Sequence, residues 1–332
     1  MTKKGSRRFT VDNWGYPPHN RQSFQQVQSL FPTARLCRGS GPITKFDLDP
    51  RDITRISYEV NTGTKRSVQQ MLQDGYTDAF IVVKDNTILH EQYSNGMAAD
   101  SFHLLNSVSK SFVGMLAGIQ VARGLLRETD LVTQHIPELA NTAFSESTVR
   151  HLLDMTAAPK YGEDYADPNA DFWVEAQVMG WRPALKNIDS AATLLAYAKT
   201  LTERKQLDGE KYHYRTVLTN VLGMVLERAG SADLQEQLQN EIWKKLGAEQ
   251  DAAIVVDNAG FPYVGAGMNT CARDLARFGQ MIVQQGQFNG EQIVPKDWIN
   301  DTRYANARAK SNFAASNYGR MMPGGHYRNQ VW

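Results

Sequence analysis

The sequence predicts an α+β protein in which a β-hairpin precedes a large helical body, with the strands placed toward the chain ends. Two β-rich runs within residues 77–96, "TDAFIVVKDNTILHEQYSNG", are joined at Asp85-Asn86 and indicate the hairpin. Apolar residues that recur at helical spacing after residue 106 indicate the helical body. The 332 residues are 42% hydrophobic, so the chain can bury a large core.

The segment before the hairpin has a different character. Residues 1–65 are rich in Pro, Gly and Arg and show only weak periodicity. We interpret them as an extended segment that lies over the main domain, and we assign residues 66–332 to that domain. The stretch "SVQQMLQDG" (67–75) predicts a short helix that ends at Gly75.

The longest helical pattern follows the hairpin and runs from Ser107 to about Arg123. Asn106 or Ser107 is its predicted N-cap, and Gly124 is the predicted C′ residue. Further helices are predicted at 147–155, at 190–201, from Thr216 onward, from a Thr270 cap to Gly286, and from about residue 296. The stretch between the first two of these, residues 158–183, is predicted to be irregular, aromatic and acidic.

The charge balance and the hydropathy exclude several classes of partner. Thirty-six basic residues oppose thirty-five acidic ones, so no global field favours nucleic acid or an anionic membrane. No window approaches the ~18 uninterrupted apolar residues of a spanning helix. The small-xxx-small pair Gly114 and Gly118 lies between charged residues that are too close together for a span, which favours close packing in a soluble core.

Cysteine usage and the N-terminal residues predict a cytoplasmic protein. Cys37 and Cys271 lie far apart and lack metal-ligand spacing, which fits free thiols in a reducing compartment. "SRRFT" (6–10) is similar to a twin-arginine signal, but the polar residues after it form no apolar core, so no signal peptide is predicted.

Common cofactor and metal motifs are missing from the sequence. It contains no G-x-S-x-G elbow, no Walker A motif and no complete G-x-G-x-x-G, since "GAGMNT" (265–270) lacks the last glycine. His90-Glu91 is not followed by the second histidine of a zinc protease. We therefore predict no cofactor and no metal, which leaves a metal-free enzyme or no enzyme.

Ser107 and Lys110 are the candidate reactive pair. Residues three apart on a helix share a face at about 5–6 Å, so Lys110 can reach the Ser107 hydroxyl. A serine needs a base to become a nucleophile, and a lysine whose pKa is lowered by burial can supply one. The alternative is an ordinary serine at a helix start beside a solvated lysine, because about one S-x-x-K match is expected by chance in a chain of this length. The apolar character of this helix favours the catalytic interpretation.

A tyrosine is the second candidate. Tyr214 lies just before the predicted Thr216 helix, where its phenol could move a proton near Ser107 and Lys110. A tyrosine that only packs is the common alternative, and Tyr212 is a competing candidate for the same role.

The order of four stretches identifies a resemblance. "SVSK", "TVRHLLDMTAAPKYGEDYADP", "YHYRTVLTNVLG" and "GAGMNTCARDLARFG" follow one another as in the serine β-lactamase and penicillin-binding-protein fold. The chain is most similar to the class C β-lactamase-related hydrolases, and among those to the 6-aminohexanoate-dimer (nylon-oligomer) hydrolases. The resemblance runs from about residue 14 to the end, and it implies an antiparallel sheet flanked by helices.

The resemblance also implies roles for single residues. Ser107 would be the nucleophile, Lys110 its partner and Tyr214 the general base. Tyr165 would contact the scissile amide, since a tyrosine on the irregular loop does so in the nylon-oligomer relatives. The family's Y-x-N element here ends in Thr216, which argues against β-lactam turnover because the asparagine helps to hold the lactam side chain.

One family feature is not found. The K-[ST]-G motif on a C-terminal strand has no match after Tyr214, so the strands that would pair with the hairpin and supply a second oxyanion N–H are predicted to be missing from residues 1–332. We expect such a chain to be poorly soluble or inactive when it is made alone.

The irregular stretch from Tyr161 to Trp181 has two interpretations. Its acidic residues and its aromatics, Trp173 and Trp181 among them, could form a solvated loop that is anchored on the core. They could instead attract an amine-bearing substrate while the aromatics hold an alkyl chain. We carry Tyr165, Trp173 and Trp181 forward as candidate substrate-binding residues.

The predicted function is hydrolysis of a small amide or ester, such as an amino-acyl oligomer, through an acyl-enzyme on Ser107. The partner is a small-molecule substrate, with no nucleic acid and no membrane. One alternative is carboxylesterase or β-lactamase activity on the same site. Another is a catalytically inert, truncated relative that only binds a ligand.

Overall fold

The computed structural model describes residues 9–60, 62–183 and 192–332, and it confirms a mixed α+β fold. The β-strands are β1 (Thr33–Leu36), β2 (Asp47–Leu48), β3 (Ser57–Glu59), β4 (Lys65–Ser67), β5 (Ala79–Lys84), β6 (Thr87–Tyr93), β7 (His103–Leu104), β8 (Ala252–Val255), β9 (Met268–Thr270), β10 (Gln287–Phe288) and β11 (Glu291–Gln292). The α-helices are α1 (Asn20–Ser23), α2 (Val68–Asp74), α3 (Ser109–Ala122), α4 (Val132–His135), α5 (Val149–Leu153), α6 (Asp171–Val178), α7 (Leu194–Thr200), α8 (Thr216–Gly230), α9 (Leu234–Glu241), α10 (Ala272–Val283), α11 (Lys296–Tyr304), α12 (Ala307–Ala314) and α13 (Asn317–Met321).

A four-stranded antiparallel sheet in the order β1-β8-β9-β7 joins distant parts of the chain. Leu36 on β1 pairs with Ala252 on β8, and Leu104 on β7 pairs with Asn269 on β9. Because β7 ends three residues before Ser107, this sheet fixes the point from which the turn that carries Ser107 starts.

The predicted hairpin is confirmed. β5 and β6 are antiparallel and are joined at Asp85 (φ 50°) and Asn86 (φ 62°), both in the left-handed region that a two-residue hairpin turn requires and that Asp and Asn tolerate. β2 runs parallel to β6, and β5 lies at the edge of this three-stranded sheet. Partner strands beyond residue 332 stay a prediction.

The N-terminal segment contributes to the core. Trp14, Val27 and Phe31 are buried in the main hydrophobic cluster, and β1 is an edge strand of the four-stranded sheet. The division of the chain at residue 65 stays a prediction.

Helix α3 is buried on nearly every side, as its apolar sequence predicts. Its start differs from the prediction, because residues 106–108 form a turn of 3₁₀-helix and α3 begins only at Ser109. Neither Asn106 nor Ser107 is therefore the N-cap. The end is confirmed, since Gly124 follows the helix with φ 71°, a conformation that costs glycine little.

Gly114 and Gly118 on α3 make the close contacts that their spacing predicts. A Cβ added to Gly114 would lie 1.9 Å from the carbonyl oxygen of Asn329, and one added to Gly118 would lie 2.4 Å from Cγ of Trp298. The indole Nε1 of Trp298 donates to the Gly114 carbonyl over 2.9 Å. Across the described part of the chain, the helices lack the combination of length and apolarity that crossing a bilayer requires.

Two further predictions need correction. The stretch 158–183 is predicted to be irregular, but it contains helix α6. This helix is buried on several sides, so its sequence lacks the polar face by which a helix is recognised. The helix predicted from a Thr270 cap begins later, at Ala272 (α10), because Thr270 is still part of strand β9 and pairs with His103.

The short helices predicted at 67–75 and 147–155 are confirmed, with Ser67 and Thr148 as their N-caps. The helix predicted at 190–201 is present as α7, and residues 190 and 191 lie outside the described residues.

Candidate active site

Ser107 occupies the turn between strand β7 and helix α3. Asn106, directly before it, adopts φ 45°, a left-handed conformation that asparagine accepts more readily than most residues. Ser109 holds the turn closed, because its hydroxyl donates to the Asn106 carbonyl over 2.6 Å and accepts from the N–H of Met268 over 3.1 Å. The half-buried Ser107 is therefore presented at the N-terminal end of a buried helix.

Lys110 lies beneath Ser107 and is 1% exposed. Among the described residues, its Nζ is within hydrogen-bond distance of three oxygens: Ser107 Oγ at 3.1 Å, Thr216 Oγ1 at 3.1 Å and the Gly265 carbonyl at 2.6 Å. A neutral amine has two N–H groups and one lone pair. The Gly265 carbonyl can only accept, and if Thr216 also accepts, the lone pair must face Ser107.

Tyr214 lies beside this pair. Its ring centroid is 5.0 Å from Lys110 Nζ, and its other contacts include a stacked arrangement with Trp332 at 5.2 Å between centroids. Within the described residues its hydroxyl makes no hydrogen bond, so the structure brings Tyr214 to Lys110 without bonding its phenol to Ser107. No described residue therefore competes with a substrate for this hydroxyl.

The competing Tyr212 has a different setting. It is 4% exposed and packs on Phe313 and Tyr327, and burial raises the pKa of its phenol well above the ordinary value. Its phenolate is therefore scarce at neutral pH, and it is the ring of Tyr214 that lies beside Lys110.

Thr216 and Glu163 form a polar cluster next to Lys110 that the sequence analysis did not identify. The Thr216 backbone N–H donates to Glu163 Oε2 over 2.5 Å, and its hydroxyl donates to Glu163 Oε1 over 2.7 Å. Thr216 therefore links Lys110 to a carboxylate that lies 53 residues earlier in the chain. The only sequence signal was the threonine in the Y-x-N position.

A second carboxylate lies behind the Gly265 carbonyl. Glu175 is fully buried and accepts hydrogen bonds from the Tyr161 hydroxyl and the Asn220 amide, while Asn220 Oδ1 accepts from the Gly265 N–H over 2.9 Å. Burial, with a smaller contribution from the charge of Glu163, raises the pKa of Glu175 to about 8. This network holds the segment that carries the Lys110 acceptor.

The three predicted substrate-binding aromatics lie in different settings. Tyr165 is 53% exposed and donates to Glu163 Oε1 over 2.6 Å. Trp173 lies near it and stacks under Arg182, whose guanidinium carbon is 3.4 Å from a ring centroid. Trp181 lies in the core, 6% exposed, where its ring contacts those of Trp14, Phe31 and Tyr263. Trp181 is thus an anchor of the loop. None of these three aromatics is among the residues that line the cleft beside Tyr214, which is described next.

A cleft of about 720 Å³ opens beside Tyr214. One wall is the acidic loop, residues 162–171, and another is helix α13 with Tyr318. The charged and titratable side chains on its walls are those of Glu163, Asp164, Asp167, Asp171, Lys211, Tyr212, His213, Tyr214 and Tyr318. Burial and the nearby Arg215 lower the pKa of His213 to about 4, so this imidazole is neutral at pH 7 and the cleft carries a net negative charge. Within the described ranges, no cluster of three or more His, Cys, Asp or Glu side chains could hold a metal ion.

Comparisons with known proteins agree with this architecture. The sequence model of the family described as Beta-lactamase matches residues 65–331. A 6-aminohexanoate-dimer hydrolase of Paenarthrobacter ureafaciens is 32% identical over 328 residues, which are 97% of this chain and 79% of that protein.

Solved structures give the same picture. A Bacillus anthracis protein with the provisional name 6-aminohexanoate-dimer hydrolase superposes with a TM-score of 0.88 at 25% identity, over 98% of this chain and 83% of that one. EstCE1, a hydrolase with promiscuous acyltransferase activity, superposes with a TM-score of 0.56 at 17% identity over 79% of each chain, which shows a shared fold alone.

Proposed function

This chain belongs to the beta-lactamase family, and on that premise we propose that it hydrolyses a small amide or ester through an acyl-enzyme on Ser107. The observation that carries the proposal is the setting of Lys110. Its amine is buried and lies within reach of Ser107 Oγ, and its other two neighbours are oxygens of Thr216 and Gly265. A lysine held in this way can serve as a base for the serine.

In the proposed first half-reaction, Ser107 Oγ bonds to the substrate carbonyl carbon and its proton passes to the neutral amine of Lys110. The carbonyl π electrons move to oxygen, where the Ser107 N–H, in the turn that leads into the buried helix, supplies one stabilising donor. The tetrahedral intermediate then expels the amine or alcohol, which takes a proton from the Tyr214 hydroxyl as Lys110 returns its proton to Tyr214.

In the second half-reaction, water attacks the acyl carbon. Its proton passes through Tyr214 and Lys110 to Ser107 Oγ as the carboxylic acid leaves. Tyr214 and Lys110 therefore end in the protonation states in which they began, and Ser107 regains its proton. The Tyr214 hydroxyl supports this role, because no described residue forms a hydrogen bond to it and it is available to the leaving group and then to water.

We propose an amine-bearing amide of the amino-acyl oligomer type as the substrate. The cleft beside Tyr214 is lined by Asp164, Asp167 and Asp171, which favour a cation. The Paenarthrobacter relative is named for the hydrolysis of such an oligomer. Tyr165, at the rim of the same loop, is the proposed contact to the scissile group.

The alternatives are distinguished by a substrate panel. Thr216 commits its hydroxyl to Glu163 and Lys110, which leaves it poorly placed to hold a lactam side chain as the family's asparagine does. We therefore expect a chromogenic cephalosporin to be turned over more slowly than a linear aminohexanoate dimer or a p-nitrophenyl ester. Turnover of the ester alone would favour a carboxylesterase.

Labelling with a fluorophosphonate tests the nucleophile. The probe should modify a peptide that contains Ser107, and Ser107→Ala should abolish labelling. Ser111→Ala, one helical turn away, is the matched control and should label normally. Labelling that persists in Ser107→Ala, or a wild type that never labels, would refute the proposed acyl-enzyme.

A further inference from the structure

The carboxylate of Glu163 is engaged on both oxygens. Oε2 accepts the Thr216 N–H over 2.5 Å, and Oε1 accepts the hydroxyls of Thr216 over 2.7 Å and of Tyr165 over 2.6 Å. An ionised carboxylate only accepts hydrogen bonds. Glu163 therefore determines which way each of these donors points.

Glu163 orients the Thr216 hydroxyl, which has a single hydrogen to donate. Because that hydrogen is donated to Glu163, the oxygen can only accept from Lys110 Nζ, 3.1 Å away. Without the carboxylate the hydroxyl could rotate and donate to the amine instead. The lone pair of a neutral Lys110 would then have two partners, Thr216 and Ser107, and only one of them leads to reaction.

Thr216 is also the first residue of α8, so Glu163 has a structural role. The N-cap residue of α8, Arg215, makes no side-chain capping hydrogen bond. The carboxylate of Glu163 accepts the Thr216 N–H instead and so caps the helix. A test must therefore separate loss of orientation from loss of helix stability.

We propose that Glu163 is a positioning residue that sets the Thr216 hydroxyl as a hydrogen-bond acceptor and so aims the lone pair of Lys110 at Ser107. This inference rests on the proposed serine hydrolase function. Glu163 does not touch the reacting atoms, and it acts through Thr216.

Glu163→Gln is the informative variant. If the Gln oxygen accepts the Thr216 N–H, the Gln amide faces Thr216 Oγ1 and donates to it, which reverses the hydroxyl while the shape and the helix contact remain. With a p-nitrophenyl ester as substrate, we expect kcat to fall by ~10–100-fold, as when the hydrogen-bond partner that orients a metal ligand is removed, while KM stays within about threefold.

The pH profile separates orientation from simple damage. The rising limb of kcat against pH reports the ionisation that activates the site. Glu163→Gln removes a negative charge beside Lys110 and lets Thr216 donate to its nitrogen. The limb should therefore move to lower pH although the plateau falls. The side chains of Glu175 and Tyr214 also lie near Lys110. Because the charge of Glu163 contributes to the raised pKa of Glu175, the comparison is repeated in a Glu175→Gln background, where residue 175 does not titrate.

A second pair of variants keeps the test decisive if Glu163→Gln folds poorly. Thr216→Val removes the acceptor and should lower kcat as much as Glu163→Gln does, and the double variant should be little worse than either. Thr216→Ser should restore the kcat that Thr216→Val loses. Glu203→Gln is the control. It removes a charge from an exposed ion pair with Lys160 and should change neither kcat nor the position of the rising limb of the pH profile.

The outcomes distinguish this inference from the proposed function. If the wild type labels at Ser107 but Glu163→Gln or Thr216→Val keeps wild-type kcat, the positioning role is wrong and the acyl-enzyme stands. A fall in kcat with an unmoved limb would assign Glu163 a structural role only. A wild type that does not label at Ser107 refutes the proposed function and this role with it.

Discussion

The buried Glu175 should make the stability of the protein depend on pH. Its side chain is fully buried on helix α6, and burial raises its pKa from the ordinary 4.5 to about 8. Below pH ~4.5 the carboxyl is protonated in both the folded and the unfolded chain. Between these values the folded protein keeps a proton that the unfolded chain releases, so stability falls as pH rises and is lowest above pH 8.

The size of the effect follows from the two pKa values. One pKa unit is worth about 1.4 kcal/mol, so the difference of about 3.5 between the two pKa values corresponds to ~5 kcal/mol at most. Glu175→Gln removes the titration and keeps the shape. Its carbonyl can accept from Asn220, and its amide can donate to the Tyr161 hydroxyl. The variant should therefore gain stability relative to wild type as pH rises from 5 to 9.

Urea unfolding of both proteins at several pH values measures this difference. The exposed Glu203→Gln serves as the control, and its difference from wild type should not change with pH in this range. A stability difference between Glu175→Gln and wild type that is constant from pH 5 to 9 would show that Glu175 is ionised throughout. A stability advantage of Glu175→Gln that shrinks as pH rises would mean that folding lowers the pKa of Glu175.

Three other predictions concern helix α3 and its neighbours. Lys110→Ala and Tyr214→Phe should each lower kcat by ~10²–10⁴, and steady-state kinetics of the double variant should show little further loss if the two act as one unit. Tyr212→Phe should keep most of the activity, and a loss comparable to that of Tyr214→Phe would show that the wrong tyrosine was assigned. Gly118→Ala should cost ~1–3 kcal/mol in urea unfolding because its methyl group overlaps a buried indole, whereas Gly279→Ala, with nothing within 4 Å, should be neutral or slightly stabilising.

The features that sequence reasoning found are those encoded by local spacing. The Asp85-Asn86 turn follows from the conformations that these residues tolerate, and the Gly114 and Gly118 contacts follow from four-residue spacing on a helix. The proximity of Ser107 and Lys110 likewise needs only the geometry of one turn. Each of these depends on residues that are close in the chain.

The rest of the site depends on residues that are far apart in the chain. Gly265, which accepts from Lys110, is 155 residues away, and Glu163 reaches Thr216 across 53 residues. No spacing pattern encodes such contacts. Trp181 was interpreted as a cleft residue because aromatic side chains in an acidic loop look alike in sequence, whether they face solvent or anchor the loop in the core.

The wide separation of the groups around Lys110 has a consequence for protein synthesis. Strand β1, near the start of the chain, pairs with β8, and the amine of Lys110 gains its acceptor only when Gly265 has been made. Contacts between distant residues form late in folding because loop closure must come first. In a nascent chain Ser107 and Lys110 therefore emerge from the ribosome well before the residues that surround them in the folded protein. On the proposed function, the unfinished chain should be inert toward cellular esters until residues as far as Gly265 have been translated.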